Sequence, residues 1–199
     1  PHVSDMGFVA PIFSQDQLIG FSGSIAHKAD IGGTMPGSTS ATATELYHEG
    51  LLLPPIRIET EKGENPDIHR LILANTRQGE LVAGDIGAQI AATKMGVERM
   101  GSLATRFGAN ILTEAFSAIL KSSADELAGA IDALPDGEAS AEGFMDTDGV
   151  ELDRMIRMAV TVTVKGNRVH FDFSDSDVQA KGPINLRPSM VEACCFYSL

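Results

Sequence analysis

Residues 78–107 read QGELVAGDIGAQIAATKMGVERMGSLATRF. Leu81, Val82, Ile86, Ile90, Val97, Met100, Leu103 and Phe107 recur at three- and four-residue spacing, the period of one helix face. The spacing predicts a helix from Gln78 to Phe107, closed by Gly108. A second helix is predicted from about Asn110 to Ala133, striped by Ile111, Leu112, Ala115, Phe116, Ile119, Leu120, Leu127 and Ile131. With a short connection, the two are expected to form a long antiparallel helical hairpin. Upstream, Asn65-Pro66-Asp67 has the composition of a helix start, and a short helix is expected through Leu71, Ile72 and Leu73 to about Asn75.

Strand periodicity flanks this helical stretch. Residues 7–13 and 17–25 are apolar runs joined by Ser14-Gln15-Asp16, a hairpin pattern. Residues 32–40, rich in Gly, Pro, Ser and Thr, predict a long ordered loop, a type that is often functional. One or two helical turns are expected over 44–50. An extended strand should follow over 51–59, where Pro54 and Pro55 forbid a helix. Downstream, residues 157–164 and 168–173 alternate around Lys165-Gly166-Asn167, the clearest hairpin in the chain, with a third strand expected over 138–145. The expected class is α+β in three segments: a β-hairpin and loop segment over 1–60, a helical segment over 61–135, and a β-hairpin segment with the start of a helix over 136–199. Pro1 opens without a cap or a Met, and residues 191–199 stop inside an apolar stretch, so the chain reads as an excerpt of something longer.

Composition narrows the function. The chain has 199 residues, 43% of them hydrophobic and only 6% aromatic, so its core must come from aliphatic side chains. A formal charge of −12 offers no basic footprint for nucleic acid or an anionic membrane surface. No apolar run approaches the ~18–20 residues that span a bilayer. The two cysteines, Cys194 and Cys195, are adjacent; small buried side chains are the expected reading. Without a disulfide framework, a cytoplasmic location is expected. No Gly-Lys-Ser/Thr phosphate loop and no G-x-S-x-G elbow occurs, so no self-contained nucleotide site is expected.

Five histidines remain as candidate ligands or bases. His69 and His170 are expected to face solvent. His2 and Asp5 lie three residues apart, as do His27 and Asp30, and the first hairpin can return His27 close to His2. Two imidazoles and one carboxylate suit a divalent metal with positions left open on the far side. On pattern alone, ordinary surface hydrogen bonding remains the alternative. Glu45, His48 and Glu49 share a helical face and can supply an acid, a base or a ligand. Asp146-Thr147-Asp148-Gly149 is turn-like and lacks the spacing of an EF-hand loop.

These blocks resemble a known family. Residues 1–13, Ala26-His27-Lys28-Ala29-Asp30-Ile31-Gly32-Gly33-Thr34-Met35-Pro36-Gly37-Ser38, residues 43–51 with Pro54-Pro55, Leu71–Arg77, Gly84–Gln89 and Gly182-Pro183-Ile184-Asn185 resemble, in order, the hydantoinase B/oxoprolinase family. That family includes hydantoinase B subunits, the corresponding half of 5-oxoprolinase, and alpha-type subunits of acetone and acetophenone carboxylases. The resemblance implies a partner of the hydantoinase A type, an ATPase that supplies the ATP site, in a hetero-oligomer acting on a small cyclic amide. ATP is expected to phosphorylate the ring carbonyl oxygen in that partner, which makes the carbon electrophilic. The resemblance also implies a divalent metal (Mn, Fe or Zn) at His2, Asp5 and His27, with Asp30 and Glu45 as candidates for ligand orientation or proton transfer. Lys28 departs from a family block that often has a second His there. Two other readings stay open: a ketone carboxylase on the same scaffold, and a non-catalytic fragment that only docks the partner.

Overall fold

A computed structural model describes residues 2–199. The architecture mixes helices with small antiparallel sheets, the α+β class expected. The chain divides into two compact units, Pro1–Glu114 and Ala115–Leu199, so the helical stretch read over 61–135 is shared between them.

The first unit opens with the predicted hairpin. β1 (Asp5–Ser14) and β2 (Gln17–His27) pair antiparallel, from Ser14 opposite Gln17 back to Asp5 opposite His27. Gln15 turns the corner in the left-handed region. The alternation puts Met6, Ile12 and Ile19 inside. A 3-10 turn at Leu46–Glu49 stands where one or two helical turns were expected. The strand expected over 51–59 is mostly absent: only β3 (Glu59–Thr60) pairs, with β4 (Gly63–Glu64). Pro54 and Pro55 have no N–H to donate to a ladder. Leu51, Leu53 and Ile58 from this stretch still pack against the core.

α1 (Pro66–Ala74) is capped by Asn65, whose side chain accepts from the Asp67 N–H, with Pro66 in the first turn. His69 on this helix is half-buried beside Glu64 at 3.1 Å, not facing solvent. α2 (Gly79–Phe107) follows. Its stripe is split: Val82, Ile86 and Ile90 join Met6, Ile31 and Ile72 in the core, while Leu103 and Phe107 stay exposed. Truncating a core member such as Ile86 to Ala would cost about 2–5 kcal/mol. Within the first unit α2 packs on β1, β2 and α1. One residue, Gly108, separates α2 from α3 (Ala109–Asp132). Each stripe correctly marks a helix, but a stripe does not name the surface it covers.

In the second unit β5 (Gly137–Met145), β6 (Ile156–Lys165) and β7 (Arg168–Asp172) form one antiparallel sheet with β6 in the centre. The third strand and the Gly166-Asn167 turn are where they were predicted. Asp148 is buried and accepts from the N–H groups of Val150, Glu151, Lys181 and Gly182. A Cβ at residue 182 would collide with the Asp148 carbonyl oxygen, so only Gly fits there. α4 (Pro188–Ser198) buries none of its residues. Cys194 is exposed and Cys195 intermediate, contrary to the buried pair expected. Among the described residues no helix is long and apolar enough to cross a membrane.

Candidate metal centre

The register of the first hairpin builds the centre. Asp5 and His27 are cross-strand partners at its open end. Residues 2–5 form a turn, in which the Asp5 N–H donates to the His2 carbonyl at 3.0 Å and the His2 N–H to Asp5 Oδ2 at 3.2 Å. Asp5 Oδ1 lies 3.2 Å from His27 Nδ1 and 3.8 Å from His2 Nε2. The two imidazole rings sit 4.7 Å apart, centre to centre. One ligand atom from each of His2, Asp5 and His27 falls within 4.8 Å of the others.

This donor set fits a divalent cation. Metal–ligand bonds of ~2.1 Å place neighbouring ligand atoms about 3–3.5 Å apart, and the two short separations here are close to that range. Partial burial favours the neutral acid at Asp5. The His2 backbone N–H and the two imidazoles outweigh it, so the carboxyl is held below its ordinary value and stays anionic. The two imidazoles and the carboxylate are all partly accessible to solvent.

Glu45 is 59% exposed and pairs with His48 at 3.1 Å, outside the His2–Asp5–His27 cluster. The carboxylate that reaches the His2–Asp5 turn is Glu49, whose Oε2 accepts from the Val3 N–H at 3.4 Å. Asp30 is 1% exposed. Its oxygens accept from the N–H groups of Gly32, Gly37 and Arg77 and from the Arg77 guanidinium, at 2.9–3.0 Å. Burial opposes its ionisation, but these donors hold its carboxyl far below the usual carboxylate range. Arg77 also donates to the carbonyls of Gly32, Gly33 and Met35, wrapping the glycine-rich loop around one guanidinium. Gly33, at φ +80, passes so close to the His48 carbonyl that a Cβ would lie 2.6 Å from it. The loop thereby seats the 3-10 turn that carries Glu49.

Lys28 follows His27 but turns to the other side, where it is fully buried and donates to Gln89 Oε1 on α2. Burial pushes its ammonium below the ordinary lysine value, with Asp85 opposing. Position 28 therefore does not face the centre. Arg77 and Gln89 were not singled out individually from sequence; Glu49 was read only as part of a polar helical face and Lys28 only as a departure from the family block. Of the first two, only Gln89 carried a signal, as a polar residue between Ile86 and Ile90 on the buried stripe.

The sequence matches the Hydantoinase B/oxoprolinase family over residues 1–199. It is 35% identical over 192 residues to a protein of Pseudomonas sp. (strain NS671) named as the B subunit of a D-/L-hydantoinase, covering 93% of this chain and 32% of that protein. It is 25% identical over 188 residues to the acetophenone carboxylase delta subunit of Aromatoleum aromaticum, covering 94% of this chain and 28% of that one. That carboxylase relative is a delta subunit, where alpha-type subunits were expected. The crystal structure of an ATP-dependent caprolactamase from Pseudomonas jessenii superposes with a TM-score of 0.82 at 25% identity, covering 93% of this chain and 32% of that chain. The chain thus spans about a third of the length of these relatives. With its whole length inside one family match and that fold shared, the chain belongs to the hydantoinase B/oxoprolinase family.

Proposed function

We propose that this chain is part of the B-type subunit of an ATP-dependent cyclic amidohydrolase, one that opens a hydantoin or lactam ring. The observation that carries the reading is the convergence of His2, Asp5 and His27 within 4.8 Å in a member of this family. In this reading the three residues hold a divalent metal (Mn, Fe or Zn), which when bound would polarise a carbonyl or lower the pKa of water. Asp5 supplies the anionic ligand and the imidazoles the neutral ones. Glu49 holds the turn between His2 and Asp5. Asp30, committed to four donors, orients the loop behind that turn. Glu45, exposed beside His48, is the proton-transfer candidate. ATP is bound by a partner of the hydantoinase A type. The caprolactamase match, named for ATP-dependent action on a lactam, supports this direction.

The test is His27→Ala in the full-length complex. Bound metal and ATP-dependent turnover of hydantoin, 5-oxoproline or ε-caprolactam should both fall by at least tenfold. Unchanged metal content and turnover would overturn the reading. The acetophenone carboxylase match favours a second reading, ketone carboxylation on the same centre. ATP turnover that responds to acetone or acetophenone with bicarbonate, and to none of the ring substrates, would establish it instead.

A further inference from the structure

Asp5 and His27 sit at the open end of a two-stranded ribbon, the part of a hairpin most prone to fray. Beyond them the strands keep one link, the Lys28 N–H to the Ser4 carbonyl at 2.8 Å. A centre built there needs the strand ends held at fixed spacing, since a shift of about 0.5 Å spoils ligand geometry.

One side chain from α2 grips both strands at that place. Gln89 is 5% exposed. Its Nε2 donates to the Met6 carbonyl at 3.0 Å, one residue from Asp5 on β1. The same nitrogen donates to the Ser24 carbonyl on β2 at 3.2 Å. Its Oε1 accepts from Lys28 Nζ, next to His27. The amide orientation is chemically determined. An ammonium has only donors and must meet the oxygen, while two carbonyls must meet the NH2. Lys28 Nζ also donates to the Ala26 carbonyl at 3.4 Å, so the ammonium ties back to β2.

A buried amide and a buried ammonium are costly in an otherwise apolar interface. Gln89 occupies the core face between Ile86 and Ile90, where an aliphatic residue would serve packing alone. Two of these partners, Met6 and Lys28, adjoin Asp5 and His27, and the third, Ser24, lies three residues before His27 on β2. We propose that Gln89 is a positioning residue for the His2–Asp5–His27 centre, fixing the separation of its two strands through Met6, Ser24 and Lys28. This rests on the reading that the centre holds a divalent metal.

The experiment uses the full-length protein with its partner, stripped of metal and titrated with Mn2+ alone, free Mn2+ being read by electron paramagnetic resonance. Three proteins are compared: wild type, Gln89→Met, and Gln89→Met with Lys28→Met. The single variant strands the ammonium and is expected to lower the melting temperature. The double variant removes both polar partners, and its melting temperature should return toward wild type. Mn2+ binding should be weaker by about 10–100-fold in both variants. Wild-type Mn2+ affinity in the folded double variant would overturn the positioning role, leaving Gln89 only a partner for Lys28. Failure of the wild type itself to bind Mn2+, with Zn2+ and Fe2+ also unbound by elemental analysis, would overturn the metal reading and this inference with it.

Discussion

Asp30 and Asp148 look alike in the sequence, as acids in turn-rich stretches, and do the same work in different units. Each is 1% exposed and accepts four hydrogen bonds from the segments it joins. The N–H groups of Glu151 and Val150, joined by those of Gly182 and Lys181, overcome burial and lower the Asp148 carboxyl to about 2. That lies below its unfolded value of 3.8. Its stabilisation is therefore complete above about pH 4 and is lost as pH falls through about 2. Asp148→Asn should lower the melting temperature at pH 7, and the gap to wild type should narrow between about pH 4 and pH 2. Melting curves by circular dichroism across that range check this, and a gap independent of pH would refute it. At this scale the clustering of His2, Asp5 and His27 was legible because one hairpin brings them together. The contacts of Glu49, Arg77 and Lys28 were not, since their partners lie tens of residues away in sequence.

At the scale of elements, helix positions were read well, while the hairpin that α2 packs on was not read as its partner. Helical period is a local consequence of backbone geometry, whereas the surface that α2 covers depends on the hairpin arriving from far upstream. Residues 51–58 show the converse case. Their apolar pattern reads as strand, yet two prolines deny the ladder and the segment packs without pairing. The glycines separate the two kinds of constraint. Gly84 on α2 has nothing within 4 Å of a would-be Cβ, whereas Gly33 has φ +80 and the His48 carbonyl at 2.6 Å. Gly84→Ala should raise stability by about 0.5–1 kcal/mol through helix propensity. Gly33→Ala should lower it by about 1–3 kcal/mol through backbone strain and displace the turn that carries Glu49. Urea unfolding of both variants measures the contrast, and equal effects would contradict the loop geometry.

For the molecule as a whole, the face of β1 and β2 turned away from the core is apolar and uncovered. Val9, Phe21 and Ile25 are 68%, 64% and 73% exposed, and Pro11 pairs with Phe21 between them. Contiguous apolar surface of this kind marks a contact surface or an association hazard. The 199-residue chain should therefore bind an apolar fluorescent dye and self-associate as its concentration rises. Phe21→Ser with Ile25→Thr should reduce both severalfold while shifting stability by no more than about 0.5 kcal/mol per site. Dye titration with light scattering tests this, and unchanged dye binding would place the exposed apolar surface elsewhere.

The amino-acid order alone settled where helices, turns and most strands form, that the class is α+β, and which imidazoles and carboxylate the first hairpin can gather. Those features follow from side-chain period, turn chemistry and short loops, all local in the chain. Folding in three dimensions settled the rest: that α2 lies on the hairpin, that Asp30 is a clamp deep in hydrogen bonds, that Glu49 reaches the His2–Asp5 turn while Glu45 pairs with His48, and that Gln89 grips both strands of the first hairpin. These depend on contacts between residues tens of positions apart, whose closeness is set by burial of the shared core and leaves no period in the sequence.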